Sequence, residues 1–219
     1  MSFTWSYSAL KEYINCPRQY HELKVLKRFE KKVTQAMTFG TEVHKHCEDY
    51  VGEGKPLPKN YQHFKPVLDS LLEINGDRYP EHEMGLKPDG SPCAFSDPTR
   101  WVRGIADLLI VDGEQAYIVD YKTGSNKYPD PKQLKLMALM VFAHFPKVQK
   151  IKAGLLFIVH TSFVDESYTR DQVEELWGHF RPDLQRLQTS YDTGVWNPNR
   201  TPLCGWCPVT TCENYKERR

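Results

Sequence analysis

Asp107, Asp120 and Lys122 are ionisable side chains set in two runs that otherwise read as buried β-strand, WVRGIADLLIV (101–111) and AYIVDYK (116–122). Both runs are apolar and rich in β-branched residues, and Asp112-Gly113 between them is a turn signal. A lone charge is costly to bury, so residues in such places have partners or a metal. Alternation along a strand puts Asp120 and Lys122 on one face. If the loop is Asp112-Gly113, Asp107 lies opposite Ile118; if it is the four residues Asp112 to Gln115, Asp107 lies opposite Asp120. Either register keeps Asp107 on the face of Asp120 and Lys122. Directly opposed Cβ atoms are only about 5 Å apart, and two carboxylates that close repel unless a cation joins them. A hard divalent ion such as Mg²⁺ suits oxygen ligands. Lys122 would then add positive charge beside the metal, as a reaction that builds negative charge on a phosphate requires. A surface hairpin with solvated charges is the plainer reading, and the apolar flanks of both strands argue against it.

The order Asp107, then Asp120-Tyr121-Lys122, within the letters GIAD and VDYKTG, resembles the PD-(D/E)xK nuclease superfamily and its RecB-type exonuclease branch. In that family an Asp on one strand is followed on the next by Asp or Glu, any residue, then Lys. The resemblance implies an α/β fold: a central mixed β-sheet flanked by helices, the restriction-endonuclease-like core. It implies that Asp107, Asp120, His44 and the carbonyl of Tyr121 hold Mg²⁺ or Mn²⁺, with Lys122 orienting or activating water. His44 enters through Gly40-x-x-x-His44, which matches the family's first motif; by itself it would read as an ordinary surface or core histidine. Family members carry a Glu on the strand before the metal Asp. The run Tyr79 to Leu86 holds Glu81 and Glu83, and Glu83 fits by position. Gln133 matches the start of the family's next helix, where Met137 replaces the expected Tyr and removes an (i, i+4) polar pair facing DNA.

Cys204-x-x-Cys207-x-x-x-x-Cys212 is a soft-metal signal that needs a fourth ligand. The wording SYSALKEYINCPRQY resembles the opening of RecB-type nucleases with an iron–sulfur cluster, whose first ligand maps to Cys16. A [4Fe–4S] cluster is therefore expected, with zinc as the alternative that spacing alone does not separate. Its ligands would join the two ends of the chain.

The elements that must position these residues follow from periodicity and punctuation. Helical spacing runs from Ser6 to about Phe29, broken at Asn15-Cys16-Pro17. Further helices are expected over 34–51, 64–74, 131–145 and 169–191, the last kinked at Pro182. Strands are expected over 79–86, in the hairpin, and over 151–160 at the sheet centre. Loops fill 52–61, 87–100 and 125–130. The reading is one RecB-like nuclease domain over 1–219, with a core of about 34–191 and cluster-binding segments of about 6–32 and 196–215.

The 219 residues are 40% hydrophobic and 26% charged, an ordinary globular composition with a formal net charge of +1. Any basic surface for nucleic acid must therefore be local; Arg18, Lys24, Lys27, Arg28, Lys31 and Lys32 form one candidate set against a phosphate backbone. No apolar run approaches a membrane span and no secretory signal opens the chain. With six cysteines this suggests a reducing compartment; the RecB-type resemblance implies the cytoplasm of a bacterial or phage-infected cell. The expected activity is a metal-dependent DNA nuclease, an exonuclease on ends or single strands in DNA recombination, repair or degradation. No GxxxxGK[ST] occurs, so the chain acts alone or with a helicase or recombination partner. The alternatives are a CRISPR-adaptation nuclease of the same branch, an RNA nuclease, or a non-catalytic zinc-stabilised DNA-binding module.

Overall fold

A computed structural model describes residues 3–216. Residues 34–179 form one compact unit; the two terminal segments, up to Val33 and from Phe180, form another.

In the terminal unit, the Ser6 hydroxyl accepts the Ala9 N–H at 3.3 Å and so starts α1 (Tyr7–Asn15). Cys16 is extended (φ −162°), and Pro17, which has no N–H to lose, opens α2 (Pro17–Tyr20). One wide π-helical turn, His21–Val25, continues it. The helix thus stops four residues short of the expected Phe29.

The larger unit begins with α3 (Gln35–Glu53), capped by the Thr34 hydroxyl and ended by Gly54 in the left-handed conformation at φ 67°. A 3₁₀ turn, Lys59–Phe64, leads into α4 (Lys65–Leu72). The strands are β1 (Asp77–Leu86), β2 (Pro92–Cys93), β3 (Val102–Asp112) and β4 (Gln115–Lys122). Then come α5 (Lys132–His144), β5 (Lys150–Phe157) and β6 (Ser162–Thr169). Among the described residues they form a six-stranded mixed sheet, β2-β1-β3-β4-β5-β6, in which only β4 and β5 are parallel. The helix α5 makes that parallel crossover. β3 and β4 hold the centre, and the strand expected there, β5, is fifth of six. β6 was not expected: its partly exposed, polar-rich residues carry little apolar alternation.

Val43, Cys47 and Val51 of α3 and Leu68 and Leu71 of α4 pack on Leu108, Ile110, Val119, Tyr121 and Leu156, one face of the sheet. On the other face α5 runs along β1, β3, β4 and β5 and buries Leu134 and the whole run from Leu136 to Phe142. Met137 is 3% exposed, a core residue. The expected helix over 169–191 is in fact a 3₁₀ turn (Arg170–Gln172), α6 (Val173–Gly178) and, in the terminal unit, α7 (Arg181–Thr193). Pro182 lies in the first turn of α7, where it starts a helix rather than kinking one. Tyr13 of α1 and Ser190 of α7 share a buried hydrogen bond of 2.9 Å. No helix among the described residues is long and apolar enough to cross a membrane.

Candidate functional site

The β3–β4 hairpin closes on Asp112 opposite Gln115, so its loop is Gly113-Glu114, with Gly113 at φ 58°. Val111 faces Ala116 and Leu108 faces Val119. Continued by one rung, this register sets Asp107 against Asp120, the second of the two registers expected. Asp107 Oδ2 accepts the Tyr121 backbone N–H at 2.7 Å, which ties the two strand ends together.

The β1–β3 pair is irregular at one rung. Pro80 pairs with Leu108 and His82 with Ala106, but the intervening Glu81 and Asp107 form no bridge, and Glu81 has φ 46°. Facing changes across this rung. Pro80 lies against Gly52 of α3, and Leu108 belongs to the α3/α4 cluster. Gly104, of the same parity as Leu108, instead meets Met137 and Met140 of α5. A left-handed non-glycine residue carries strain, and here the break brings Glu81 round to Asp107 and to His44 on α3. One ligand atom each from His44, Glu81 and Asp107 lies within 4.8 Å of the others; among the described residues this is the only group of three or more His, Cys, Asp or Glu so arranged.

Glu83 is therefore not the residue at the centre. It pairs with Ile105, two rungs away, and is exposed. Glu81 takes the place expected of it, and nothing local in the sequence separates the two.

His44 Nδ1 lies 3.4 Å from Asp107 Oδ2, with its ring edge-on to Tyr121. Burial alone would lower the His44 pKa, but hydrogen bonding to Asp107 and the charges of Asp107, Asp120 and Glu81 outweigh it and hold the pKa above the ordinary histidine value. Burial, then Asp107 and Glu48, raises the Glu81 carboxyl. Asp120 is 4% exposed, and burial together with Asp107 pushes its pKa up to about 6 despite Lys122. The raised Glu81 and Asp120 carboxyls, each facing the charge of Asp107, mark a place where a cation would relieve repulsion. Oxygen ligands with one imidazole suit Mg²⁺ or Mn²⁺ better than a soft metal. An open cavity of about 370 Å³, lined by Gly40, Thr41, His44, Lys45, Glu48 and Glu81, leads to the group.

Lys122 and Gln133 complete the arrangement. Lys122 Nζ is ion-paired with Asp120 Oδ2 and donates to Gln133 Oε1 at 3.1 Å. Gln133 Nε2 donates to Asp120 Oδ1 at 2.5 Å. The first turn of α5 thus holds the carboxylate and the ammonium together.

In the terminal unit Cys16, Cys204, Cys207 and Cys212 line one small cavity of about 20 Å³, and all are free thiols. The Thr201 N–H points to Cys204 Sγ at 3.3 Å and the Asn199 N–H to Cys16 Sγ at 3.4 Å. Burial and then the charges of its three partner cysteines raise the Cys207 thiol, offset in part by a backbone hydrogen bond. The N-terminal basic run is largely neutralised within its own unit. Buried Glu22 pairs with Arg18 at 3.1 Å and Arg28 at 3.8 Å, while Glu12 takes Lys24 at 3.6 Å and Lys31.

The family model for the PD-(D/E)XK nuclease superfamily matches residues 4–212. A comparison with the curated proteins finds no match. Among solved structures, a protein from Eubacterium rectale provisionally named an exonuclease aligns with TM-score 0.55 and 15% identity, over 99% of this chain and 90% of that one. That likeness concerns the fold alone. The structure of SSO0001 aligns with TM-score 0.48 and 13% identity, over 99% and 88% of the two chains.

Proposed function

Because the chain belongs to the PD-(D/E)XK nuclease superfamily, we propose that it is a Mg²⁺- or Mn²⁺-dependent DNA exonuclease of the RecB type, hydrolysing phosphodiester bonds at ends or in single strands. The observation that carries this reading is the convergence of His44, Glu81 and Asp107 beside the Lys122–Asp120–Gln133 group. His44, Glu81 and Asp107 would hold the ion, with Asp120 and the Tyr121 carbonyl completing its ligands. When bound, the ion supplies positive charge to the scissile phosphate and acidifies water. Asp120 keeps Lys122 at the site, and Gln133 fixes both by its two hydrogen bonds. Lys122 Nζ orients the attacking water and offsets charge that develops on the phosphate oxygens. Asp107, bonded to the Tyr121 N–H, keeps the two strand ends in register while it serves as ligand.

The four cysteines would hold a [4Fe–4S] cluster. Supporting a shared site, all four line one cavity. The proposed setting is DNA recombination, repair or degradation in a bacterial or phage-infected cell, alone or beside a helicase or recombination partner.

The test compares linear and closed circular single-stranded DNA of one sequence, with Mg²⁺ or Mn²⁺ and with chelator. The reading expects metal-dependent loss of the linear strand while the circle persists. Equal loss of both would make the protein an endonuclease, and loss of RNA alone would replace DNA as the substrate.

A further inference from the structure

We propose that a second cavity, beside the cysteine site, is a binding subsite for single-stranded nucleic acid. It takes a backbone phosphate between Arg200 and Lys216 while Trp206 stacks a base. This rests on the nuclease reading above and adds to it where, away from the cleavage centre, the strand is gripped.

The cavity is open, about 540 Å³, and its lining includes Arg200, Thr201, Cys204, Gly205, Asn214 and Lys216. That is room for a nucleotide unit, and among the described residues no acidic side chain lines it. Arg200 and Lys216 are exposed and, among the described residues, neither makes an ion pair. This contrasts with the N-terminal basic run, where four of six cations are paired with Glu12 and Glu22. In a chain of net charge +1, two cations on one concave surface, neither ion-paired among the described residues, make a local anion site.

The 3₁₀ turn Pro202–Trp206 forms part of the wall. Its Trp206 is 57% exposed and its Leu203 68% exposed, one residue from lining residues Gly205 and Pro202. Cations tracking the backbone beside an aromatic face are the two parts of a single-strand site. Only an unpaired strand offers its base faces to an indole, so a duplex is the poorer fit. Cys204 and Asn214 line both this cavity and the cysteine cavity, so the turn that presents Trp206 is held by the residues around the thiols.

The test is fluorescence anisotropy of a dye-labelled thymidine oligonucleotide, in chelator so that nothing is cut, across a range of salt. Each of Arg200→Ala and Lys216→Ala should weaken binding and lower the slope of log K against log salt by about 0.7. Trp206→Ala should weaken binding roughly 5- to 150-fold with the slope unchanged, and the strand should quench wild-type tryptophan emission in proportion. Lys147→Ala, another exposed lysine, should leave the slope alone. Wild-type binding in all three variants, with metal-dependent cleavage intact, would overturn the subsite and leave the nuclease reading standing. A mononucleotide that competes as well as the oligonucleotide would overturn the strand assignment. A wild-type protein that neither binds the strand in chelator nor cuts it with Mn²⁺ would defeat both.

Discussion

Glu81 and Asp107 stand on the same rung of the β1–β3 pair, and that rung is open. The regular pairs on either side keep register, so the break adds no residue to either strand. It changes which face the side chains reach, and Glu81 absorbs the change at φ 46°.

Glu81→Gln should therefore weaken Mn²⁺ binding at least tenfold, measured by calorimetric titration, whereas Glu83→Gln should bind as wild type. Equal effects of the two substitutions would mean that the open rung does not select the ligand.

Gln133→Ala should lower kcat by roughly 10- to 150-fold, the worth of a hydrogen bond to a charged group, while Mn²⁺ affinity stays near wild type. Gln133 touches Asp120 and Lys122 but not the His44, Glu81 and Asp107 group. A loss confined to metal binding would reassign it.

Metal-free protein should lose stability as pH rises. The Asp120 pKa is raised to about 6, against an unfolded value near 3.9. Its contribution is therefore full below about pH 4 and is lost as pH climbs through 6. The raised His44 pKa acts in the same direction: its stabilisation is present below the unfolded value and is lost as pH rises through the folded one. Melting curves in chelator from pH 4.5 to 8 should show the decline, Asp120→Asn should be the more stable protein at pH 8, and the gap should narrow towards pH 4.5. A wild type that stabilises steadily with pH would contradict this.

Cys16→Ser should lower melting temperature as much as Cys207→Ser, and both should lose iron by elemental analysis. A site built from ligands this far apart exists only in the folded chain, so metal-binding free energy is folding free energy. Cys93→Ser is the control, since Cys93 lies on β2 and Cys47 is in the core. Protein holding one zinc would replace the cluster. Metal-free protein of unchanged stability with four reactive thiols would remove the site.

The hairpin, α5 and the cysteine spacing were legible in the sequence because their signals are local: period-two apolar runs, a turn glycine, a proline at a helix start, cysteines at short intervals. Asp107, Asp120 and Lys122 stand out for the same reason, as charges set in apolar strands, whereas His44 and Gln133 enter only through the family resemblance. Glu81 could not, because its backbone conformation is set by a partner strand more than twenty residues away. Strand β6 was missed because an edge strand with Asp165, Glu166 and two serines carries little apolar alternation. The break before α7 was misread because Leu176, Phe180 and Leu184 keep helical spacing across it. The basic N-terminal run reads as a candidate phosphate patch in sequence because its partners Glu12 and Glu22 are set by folding: Glu12 pairs with Lys24 and Lys31 and Glu22 with Arg18 and Arg28.

End-labelled single-stranded DNA incubated with wild-type protein and with Asp107→Asn, in Mn²⁺ and in chelator, tests the central claim most directly. The account predicts cleavage by the wild type in Mn²⁺ alone, with at least a hundredfold loss in the variant, whose circular dichroism and melting curve stay close to wild type. Cleavage that survives chelator, or that Asp107→Asn performs at the wild-type rate, would contradict it.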